Sequence, residues 1–320
     1  MIVTLTPNPS IDATLQLSDE LVPGAVHRAT SVTRVAGGKG VNVTHAVHLA
    51  GEPTLALFPA HERDSFLPLV RDAELPFSSI PMDAAVRTNT TITEPDGRTT
   101  KANGPGPLLS DEVQSAVGAQ LRKHAIDADW VVMAGSLPQG VPTDWYADLI
   151  RTIREANPQA HIAVDTSDKP MEALGARLAD AAPDLIKPNG LELGQLIGAD
   201  GLELERQAER GDFSGVVAAA REINARGIPE VLVTLGSAGA VLVTTTGAWA
   251  ATPPPVEVKS TVGAGDSALA GYILARTAGK DYADSLAQSV AYGTAAAGLP
   301  GTTIPTPDQL NIGGTTVKSL

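Results

Sequence analysis

The feature of this sequence that most constrains its fold is an alternation between short apolar runs and longer segments with helical periodicity. The apolar runs, rich in β-branched residues, occupy residues 131–133, 161–164, 184–186, 231–234 and 240–243. Residues 142–155, 214–226 and 265–278 carry apolar side chains at spacings of three and four. This alternation predicts βαβ units and a parallel sheet covered by helices on both faces. We therefore predict an α/β fold that binds its ligands at the carboxyl ends of the strands.

Two segments rich in threonine and valine interrupt this alternation. They cover residues 12–36 and 86–103 and contain the turn sequences Pro23-Gly24 and Pro95-Asp96-Gly97. Such patterns are typical of short strands joined by turns, and they predict a small second sheet. Because neither segment could fold alone, we predict a single domain over residues 1–320 in which this sheet forms a lid over the site.

The charge of the chain excludes one class of partner. Lys and Arg total 23, Asp and Glu total 36, and the net charge is −13. A nucleic acid needs a basic face on its protein partner, so we predict no nucleic-acid partner. A small anionic substrate stays open, provided that a few basic side chains gather locally. Lys39, Arg87 and Lys187 are the candidates for that role.

Several kinds of site and segment have no signal in the sequence. There is no cysteine, which excludes disulfides, thiolate metal sites and a cysteine nucleophile. The six histidines show no spacing that predicts a metal site. No apolar run reaches the length of a membrane span, and the first residues lack the pattern of a signal peptide. We expect a cytoplasmic protein without a membrane partner.

The strongest local motif is the segment 260–266, which ends in Gly263-Ala264-Gly265-Asp266 and is followed by an apolar helix. The first N–H groups of a helix have no partner within the helix, and small residues let an anion approach them. A carboxylate in the first turn can face the same space and accept a hydroxyl proton. The motif is therefore suited to phosphoryl transfer, with Asp266 as general base. An ordinary aspartate that favours a helix start explains it as well.

A second glycine-rich segment, 37–43, also precedes a helix. It is not a Walker A loop, because Gly40 stands where Ser or Thr should follow Lys39. It contains no dinucleotide-binding fingerprint either, which argues against a nicotinamide dehydrogenase. One interpretation is a sugar-binding loop in which Asn42 binds hydroxyl groups and Lys39 binds an anion. The alternative is a glycine-rich turn with no ligand.

Polar residues follow two of the predicted strands. Lys187, Asn189 and Glu192 come directly after the run 184–186, where a parallel sheet would place nucleotide phosphates and a metal. The run 231–234 continues into a tight turn that contains Gly236 and Gly239 and could line a nucleotide pocket. An ordinary loop and an ordinary turn explain these two segments equally well.

Together, and in this order, the motifs resemble the ribokinase-like carbohydrate kinase family over nearly the whole chain. The segments that carry the resemblance are 6–12, 37–42, 134–138, 187–193 and 260–266. The family resemblance implies a three-layer α/β/α fold with a mainly parallel sheet and a β-sheet lid that often forms a dimer contact. It also implies ATP and Mg²⁺ as the cofactors and a small-molecule sugar as the second substrate.

Two further segments are similar to the branch of the family that acts on phosphosugars. They are Arg87-Thr88-Asn89 and 103–107, and in that branch the arginine grips the phosphate already on the substrate. Residues 6–12 and 300–302 most resemble the enzymes that phosphorylate the 6-hydroxyl of fructose 1-phosphate. Gly104 departs from the pattern, because a glutamate is common there. Fructose 6-phosphate and tagatose 6-phosphate therefore stay open as substrates.

The resemblance also implies a role for each matching residue. Asp266 is the catalytic base, and Gly263, Ala264 and Gly265 supply the anion hole. Lys39 and Arg87 hold the substrate phosphate, while the other sugar-binding residues are Asp12, Gly37, Gly38, Asn42, Asn89, Asn103 and Ser136. The nucleotide-binding residues are Lys187, Asn189, Thr234, Gly236, Gly239 and Thr261, and Glu192 assists the metal. A catalytically silent sugar-phosphate sensor is the alternative of a different class, but it should lack Asp266.

Overall fold

A computed structural model describes residues 1–320 as two β-sheets and eleven α-helices. The strands are β1 (Ile2–Leu5), β2 (Ser10–Leu17), β3 (Ala29–Gly37), β4 (Thr54–Ala60), β5 (Phe77–Pro81), β6 (Arg87–Thr93), β7 (Thr99–Asn103), β8 (Trp130–Ala134), β9 (His161–Asp165), β10 (Leu185–Ile186), β11 (Glu230–Thr234), β12 (Ala240–Thr244), β13 (Ala248–Thr252) and β14 (Thr316–Ser319). The helices are α1 (Lys39–Leu49), α2 (Phe66–Asp72), α3 (Asp111–Ala125), α4 (Trp145–Ala156), α5 (Asp168–Ala176), α6 (Leu178–Ala181), α7 (Gly190–Ile197), α8 (Gly201–Glu209), α9 (Ser214–Ala225), α10 (Ala264–Thr277) and α11 (Tyr282–Ala297).

The large sheet has ten strands in the order β14-β13-β12-β11-β10-β9-β8-β1-β4-β5. The strands from β5 to β11 in this order are all parallel, whereas β12, β13 and β14 extend the sheet as antiparallel neighbours. Each predicted apolar run lies in or overlaps one of these strands, because a strand buried on both faces is apolar throughout. The carboxyl ends of the parallel strands meet at one edge of the sheet.

Helices cover both faces of the large sheet. Val3 and Leu5 of β1 belong to one apolar cluster, and their neighbour Ile2 belongs to another on the opposite face, as the alternation of a strand requires. Side chains of α1, α10 and α11 contribute to the second cluster, and those of α2 to α9 contribute to the first. The predicted α/β fold with three layers is confirmed.

The small sheet contains strands from both of the threonine- and valine-rich segments. Its order is β3-β2-β6-β7, with β2 and β6 parallel and the other two pairs antiparallel. The turn between β6 and β7 contains Gly97 at a φ of 88°, a left-handed conformation that favours glycine. Strand β2 begins at Ser10, two residues before the predicted start of its segment.

No helix in the structure combines the length and the apolar character that crossing a bilayer would demand.

Candidate active site

A cavity of about 360 Å³ opens where the small sheet meets the carboxyl ends of the parallel strands. Most of the predicted site residues line it, although they come from segments far apart in the chain. They are Asp12, Gly38, Lys39, Asn42, Arg87, Asn89, Lys187, Asn189, Glu192, Thr234, Thr261, Gly263, Gly265 and Asp266. Ser10 and Val262 also line the cavity and were not predicted.

The start of α10 forms one wall of the cavity. Gly263 caps this helix in a left-handed conformation, with a φ of 78° that explains the glycine. The N–H of Ser267 makes a helical hydrogen bond to the carbonyl of Gly263 at 2.8 Å. The N–H groups of Ala264 and Gly265 precede that bond, so they belong to the part of a helix that lacks internal acceptors. The predicted anion-binding geometry is therefore available at this turn, with Asp266 in its first turn.

Asp266 is almost fully buried, and its carboxylate accepts a hydrogen bond from the Asn42 amide at 2.8 Å, through Oδ2. Burial raises the pKa of Asp266 from 3.8 to about 6, with a further contribution from the neighbouring carboxylate of Asp165. Lys39, Asn42 and Lys187 oppose this rise. Asp266 is thus a buried base that is ionised near neutral pH. Asn42 was predicted to bind the sugar, and in the structure its amide also fixes this base.

Asp165 is the main residue that the sequence analysis missed. It is the last residue of β9, has no exposed surface, and lies between two lysines. Its Oδ1 accepts a hydrogen bond from the Lys39 ammonium at 2.8 Å, and its Oδ2 lies 3.3 Å from the Lys187 ammonium. Burial opposes its negative charge, but the two lysines outweigh burial and lower the pKa of Asp165. The signal in the sequence was an acid at the carboxyl end of a predicted strand.

Lys39 carries a firmly held positive charge. Burial opposes that charge, but Asp165, Asp266 and Glu192 outweigh it and raise the pKa of Lys39 well above its ordinary value. Lys187 is also buried, and its ammonium lies beside the other oxygen of the same carboxylate. Both lysines are therefore local cations within a chain that is acidic overall.

Asp12 lies on the lid side of the cavity, in strand β2. Its Oδ1 accepts hydrogen bonds from the Ser10 hydroxyl at 2.7 Å and from the Asn89 amide at 3.1 Å. Burial raises its pKa despite these hydrogen bonds. Gly37 does not line the cavity, but a Cβ atom there would lie 2.3 Å from Oδ2 of Asp12. Gly37 therefore makes room for the Asp12 carboxylate.

Arg87 begins β6 at the base of the lid, and its side chain is partly buried. Its Nη1 donates to the carbonyl of Gly104 at 3.1 Å, whereas its buried Nε has no partner. Burial lowers the pKa of the guanidinium, yet a guanidinium stays charged in proteins. A Cβ at Gly104 would lie 2.9 Å from the Thr88 carbonyl oxygen. The glutamate that is common at this position would require the backbone here to shift.

The part of the cavity that was predicted to bind the nucleotide is built on the start of α7. The Asn189 side chain accepts from the Glu192 N–H at 2.7 Å, and the Glu192 carboxylate accepts from the Asn189 N–H at 2.8 Å. This capping box explains both residues structurally, while both also line the cavity. Thr234 at the end of β11 is held beside them, since its N–H donates to the Pro188 carbonyl.

Six predicted residues lie outside the lining of the cavity, namely Gly37, Ala264, Asn103, Ser136, Gly236 and Gly239. Asn103 is exposed at the end of β7, opposite Asn89, and the Ser136 hydroxyl accepts from the Asn8 amide at 3.3 Å after β8. Gly236 and Gly239 form the turn between β11 and β12. A Cβ on Gly239 would lie 2.0 Å from the Ala251 carbonyl oxygen, so chain packing explains this glycine.

Comparison with known proteins agrees with this architecture. The family described as pfkB family carbohydrate kinase matches residues 6–309. A 1-phosphofructokinase from Rhodobacter capsulatus is 37% identical, over 97% of this chain and 94% of that protein. An ATP-dependent 6-phosphofructokinase isozyme 2 from Mycobacterium tuberculosis is 36% identical, over 92% of this chain and 82% of that protein.

Solved structures are similar as well. The phosphofructokinase-2 from Escherichia coli, solved in complex with substrates and products, is 29% identical and superposes with a TM-score of 0.82, covering 96% of both chains. The family match spans nearly the whole chain and includes every residue that lines the cavity. The chain therefore belongs to the pfkB family of carbohydrate kinases, enzymes that transfer phosphate to a hydroxyl group.

Proposed function

We propose that this kinase transfers the γ-phosphoryl group of ATP to the 6-hydroxyl of D-fructose 1-phosphate, giving fructose 1,6-bisphosphate and ADP. The observation that carries the proposal is the cavity itself, which gathers the buried base Asp266 with the cations Lys39 and Arg87. A sugar that already carries a phosphate gives those cations a partner, and an unphosphorylated sugar does not. The 1-phosphofructokinase relative supports the same substrate.

The lid side of the cavity is suited to the sugar phosphate. Asp12 uses Oδ1 for its own hydrogen bonds with Ser10 and Asn89, so Oδ2 is available to accept from sugar hydroxyls. Arg87 lines the cavity, and the guanidinium N–H groups that the Gly104 carbonyl leaves free can donate to a phosphate oxygen. One of the three N–H groups of the Lys39 ammonium donates to Asp165, and the other two can donate to the same phosphate.

Asp266 would act on the acceptor hydroxyl. In its ionised form it accepts the hydroxyl proton as the sugar oxygen attacks the γ-phosphorus, and the bond from that phosphorus to the bridging oxygen of ADP breaks. The N–H groups of Gly263, Ala264 and Gly265 stabilise the charge that spreads over the transferring oxygens. A Cβ on Gly265 would lie 3.3 Å from the Lys187 ammonium, so this lysine is beside the same turn.

The residues at the nucleotide side fit Mg²⁺ that is held mainly by ATP. Mg²⁺ binds ATP enzymes through one or two carboxylates, phosphates and water rather than through an all-protein cage. The structure contains no group of three or more acidic or histidine side chains that could hold a metal alone. Glu192 uses Oε2 in the capping box, which leaves its other oxygen free to bind a metal-bound water. The ion would neutralise charge on the ATP phosphates.

Fructose 6-phosphate is the second candidate acceptor, and tagatose 6-phosphate is the third. The Mycobacterium tuberculosis 6-phosphofructokinase relative is nearly as similar as the 1-phosphofructokinase, so overall identity does not separate the two sugars. Gly104, directly beside Arg87, lacks the side chain that is common there. The resemblance of residues 6–12 and 300–302 favours fructose 1-phosphate.

A substrate panel tests this proposal. ADP release is measured with purified protein, Mg²⁺ and ATP against fructose 1-phosphate, fructose 6-phosphate, tagatose 6-phosphate, fructose and ribose. We expect the highest kcat/KM for fructose 1-phosphate and values at least about tenfold lower for both unphosphorylated sugars. A preference for ribose or fructose would overturn the phosphosugar assignment, and a preference for fructose 6-phosphate would replace only the named sugar.

The lid also supports a proposal on assembly, namely a homodimer through the small sheet. Strand β3 and the loop before it expose apolar side chains, with Val26 88% and Val32 55% exposed. A small sheet is marginally stable alone, and a second copy would cover these side chains. Light scattering at micromolar concentration should give the mass of a dimer, and Val32→Glu should shift it toward a monomer. A fully active monomer would contradict this proposal.

A further inference from the structure

Next to the cavity lies one buried charge whose role is still open, the carboxylate of Asp165. It lines no part of the cavity itself, and it has no exposed surface. Apart from Lys187, its Oδ2 has no polar partner. A buried carboxylate is costly unless nearby cations compensate it, and a well-packed apolar residue often serves stability equally well. Its position between two lysines therefore calls for a functional explanation.

The two lysines come from segments that were predicted to bind different substrates. Lys39 is the first residue of α1, on the sugar side, and it lies 126 residues from Asp165 in sequence. Lys187 follows β10 on the nucleotide side, beside the Gly265 turn. Two ammonium groups repel each other in a buried space. A carboxylate that contacts both of them allows both to stay at the point where the two substrates meet.

We infer that Asp165 is a positioning residue, which holds Lys39 and Lys187 together at the phosphoryl-transfer point and compensates their charge. This inference rests on the proposed function and deepens it. Asp165 acts through the lysines and contacts neither substrate. It leaves each ammonium at least one N–H to donate to a phosphate oxygen, because an ammonium carries three. One carboxylate thus links the acceptor site to the nucleotide site.

The arrangement has a consequence for the base. The charged groups that face Asp266 are Asp165 on β9, Lys39 on α1 and Lys187 after β10, and Asn42 donates its hydrogen bond. The negative charge of Asp165 disfavours a second negative charge on Asp266. Replacing Asp165 by the isosteric asparagine removes that repulsion and leaves the lysine charges uncompensated. Both changes stabilise ionised Asp266 and lower its pKa.

Asp165→Asn is therefore the test, with Asp184→Asn as the matched control. Asp184 is also a partly buried carboxylate beside the sheet, bonded to the Arg154 guanidinium and the Ile162 N–H at 2.7 Å each, but at the opposite end of the strands. In Asp165→Asn we expect kcat/KM for the best phosphosugar to fall on the order of 10²-fold, because misplaced lysines misplace the reacting groups. The KM for ATP and for the phosphosugar should both rise. In Asp184→Asn both KM values should stay unchanged.

The pH dependence separates positioning from general damage. We expect the acid limb of kcat/KM to follow the pKa of Asp266, about 6 in the wild type. This limb should move to lower pH in Asp165→Asn and stay in place in Asp184→Asn. Asp165→Glu keeps the charge but displaces it, so it should keep the limb near pH 6 and still lose activity. If Asp165→Asn fails to fold, Asp165→Glu serves as the test variant. A kcat/KM of Asp165→Glu equal to that of the wild type would overturn the inference.

A measurement without substrate keeps this inference separate from the proposed function. The ¹³C carboxyl signal of Asp266, assigned by its loss in Asp266→Asn, is titrated in the free wild type and in Asp165→Asn. A lower pKa of Asp266 in Asp165→Asn supports the inference, and an unchanged value overturns it, whichever sugar is the substrate. Failure of the wild type to phosphorylate any phosphosugar would instead refute the proposed function.

Discussion

Replacing Arg87 by alanine tests the part of the site that distinguishes a phosphosugar kinase from a kinase of free sugars. In the structure the guanidinium gives Nη1 to the Gly104 carbonyl, and its buried Nε has no partner. The side chain also lines the cavity, so the N–H groups that the Gly104 carbonyl leaves free can donate to a substrate phosphate. A hydrogen bond to a charged group contributes about 1.5–3 kcal/mol, so the loss of one corresponds to a fall of roughly 10–150-fold in kcat/KM.

The assay compares three quantities in the same preparation. For Arg87→Ala we expect kcat/KM for fructose 1-phosphate to fall by the roughly 10–150-fold given above. We expect kcat/KM for fructose to change less than about threefold, and the KM for ATP to stay unchanged. Fructose carries no phosphate for the arginine to bind, and ATP is bound on the other side of the transferred group. Arg98→Ala is the matched control, because Arg98 lies in the turn between β6 and β7, does not line the cavity, and pairs with Glu20, Glu94 and Asp96.

A uniform fall for fructose and fructose 1-phosphate would refute this reasoning. It would mean that Arg87 supports the lid and does not bind the substrate phosphate, since its bond to the Gly104 carbonyl ties β6 to the end of β7. Arg87→Lys refines the outcome, because a lysine keeps the charge and loses the planar fork. With fructose 1-phosphate, we expect the kcat/KM of Arg87→Lys to lie between the values of the wild type and Arg87→Ala. With fructose, we expect no such difference.

Three further predictions concern the base and the turns. Asp266→Asn should lower turnover by ~10²–10⁴-fold while calorimetry shows retained ATP binding, and turnover within a few-fold of wild type would remove Asp266 as the base. In the wild type, kcat/KM should fall as pH decreases through about 6, because protonated Asp266 accepts no proton; a flat profile between pH 5 and 7 would contradict this. Gly239→Ala should lower the free energy of unfolding in urea by more than Gly24→Ala, which itself should cost about 1–2 kcal/mol. Both glycines have a positive φ, but only at Gly239 would the new Cβ meet a backbone atom, the Ala251 carbonyl oxygen at 2.0 Å; equal losses would refute the packing role.

The fold was predictable because its signals are local. The run 161–164 lies in a strand covered on both faces, and such a strand is apolar without alternation. The Gly263 turn was predictable for a similar reason, since a left-handed residue before a helix favours glycine. Helix α4 begins at Trp145 and not at 142, because Pro142, Thr143 and Asp144 form a turn before it.

The pairing of charges within the site was not predictable from local pattern. The Asn42 amide reaches Asp266 across 224 residues, and Lys39 reaches Asp165 across 126. Sequence spacing carries no information on such contacts, because they depend on which strand ends become neighbours in the sheet. Asp165 was missed for this reason. At Gly239 the local glycine pattern predicted a nucleotide contact, which stays a prediction, and the structure adds that the close approach of the Ala251 carbonyl oxygen leaves no room for a Cβ there.

The buried charge of the base Asp266 lowers the stability of the folded protein at neutral pH. Burial and Asp165 raise the pKa of Asp266 to about 6, above its ordinary 3.8. A carboxyl whose pKa is higher in the folded state opposes folding at neutral pH, and this opposition disappears as pH falls from about 6 to below 4. Asp266→Asn removes the ionised group but keeps an oxygen that can accept from Asn42. The substitution that lowers turnover should therefore also raise the melting temperature at pH 7, and this result would distinguish the loss of the base from the loss of the fold.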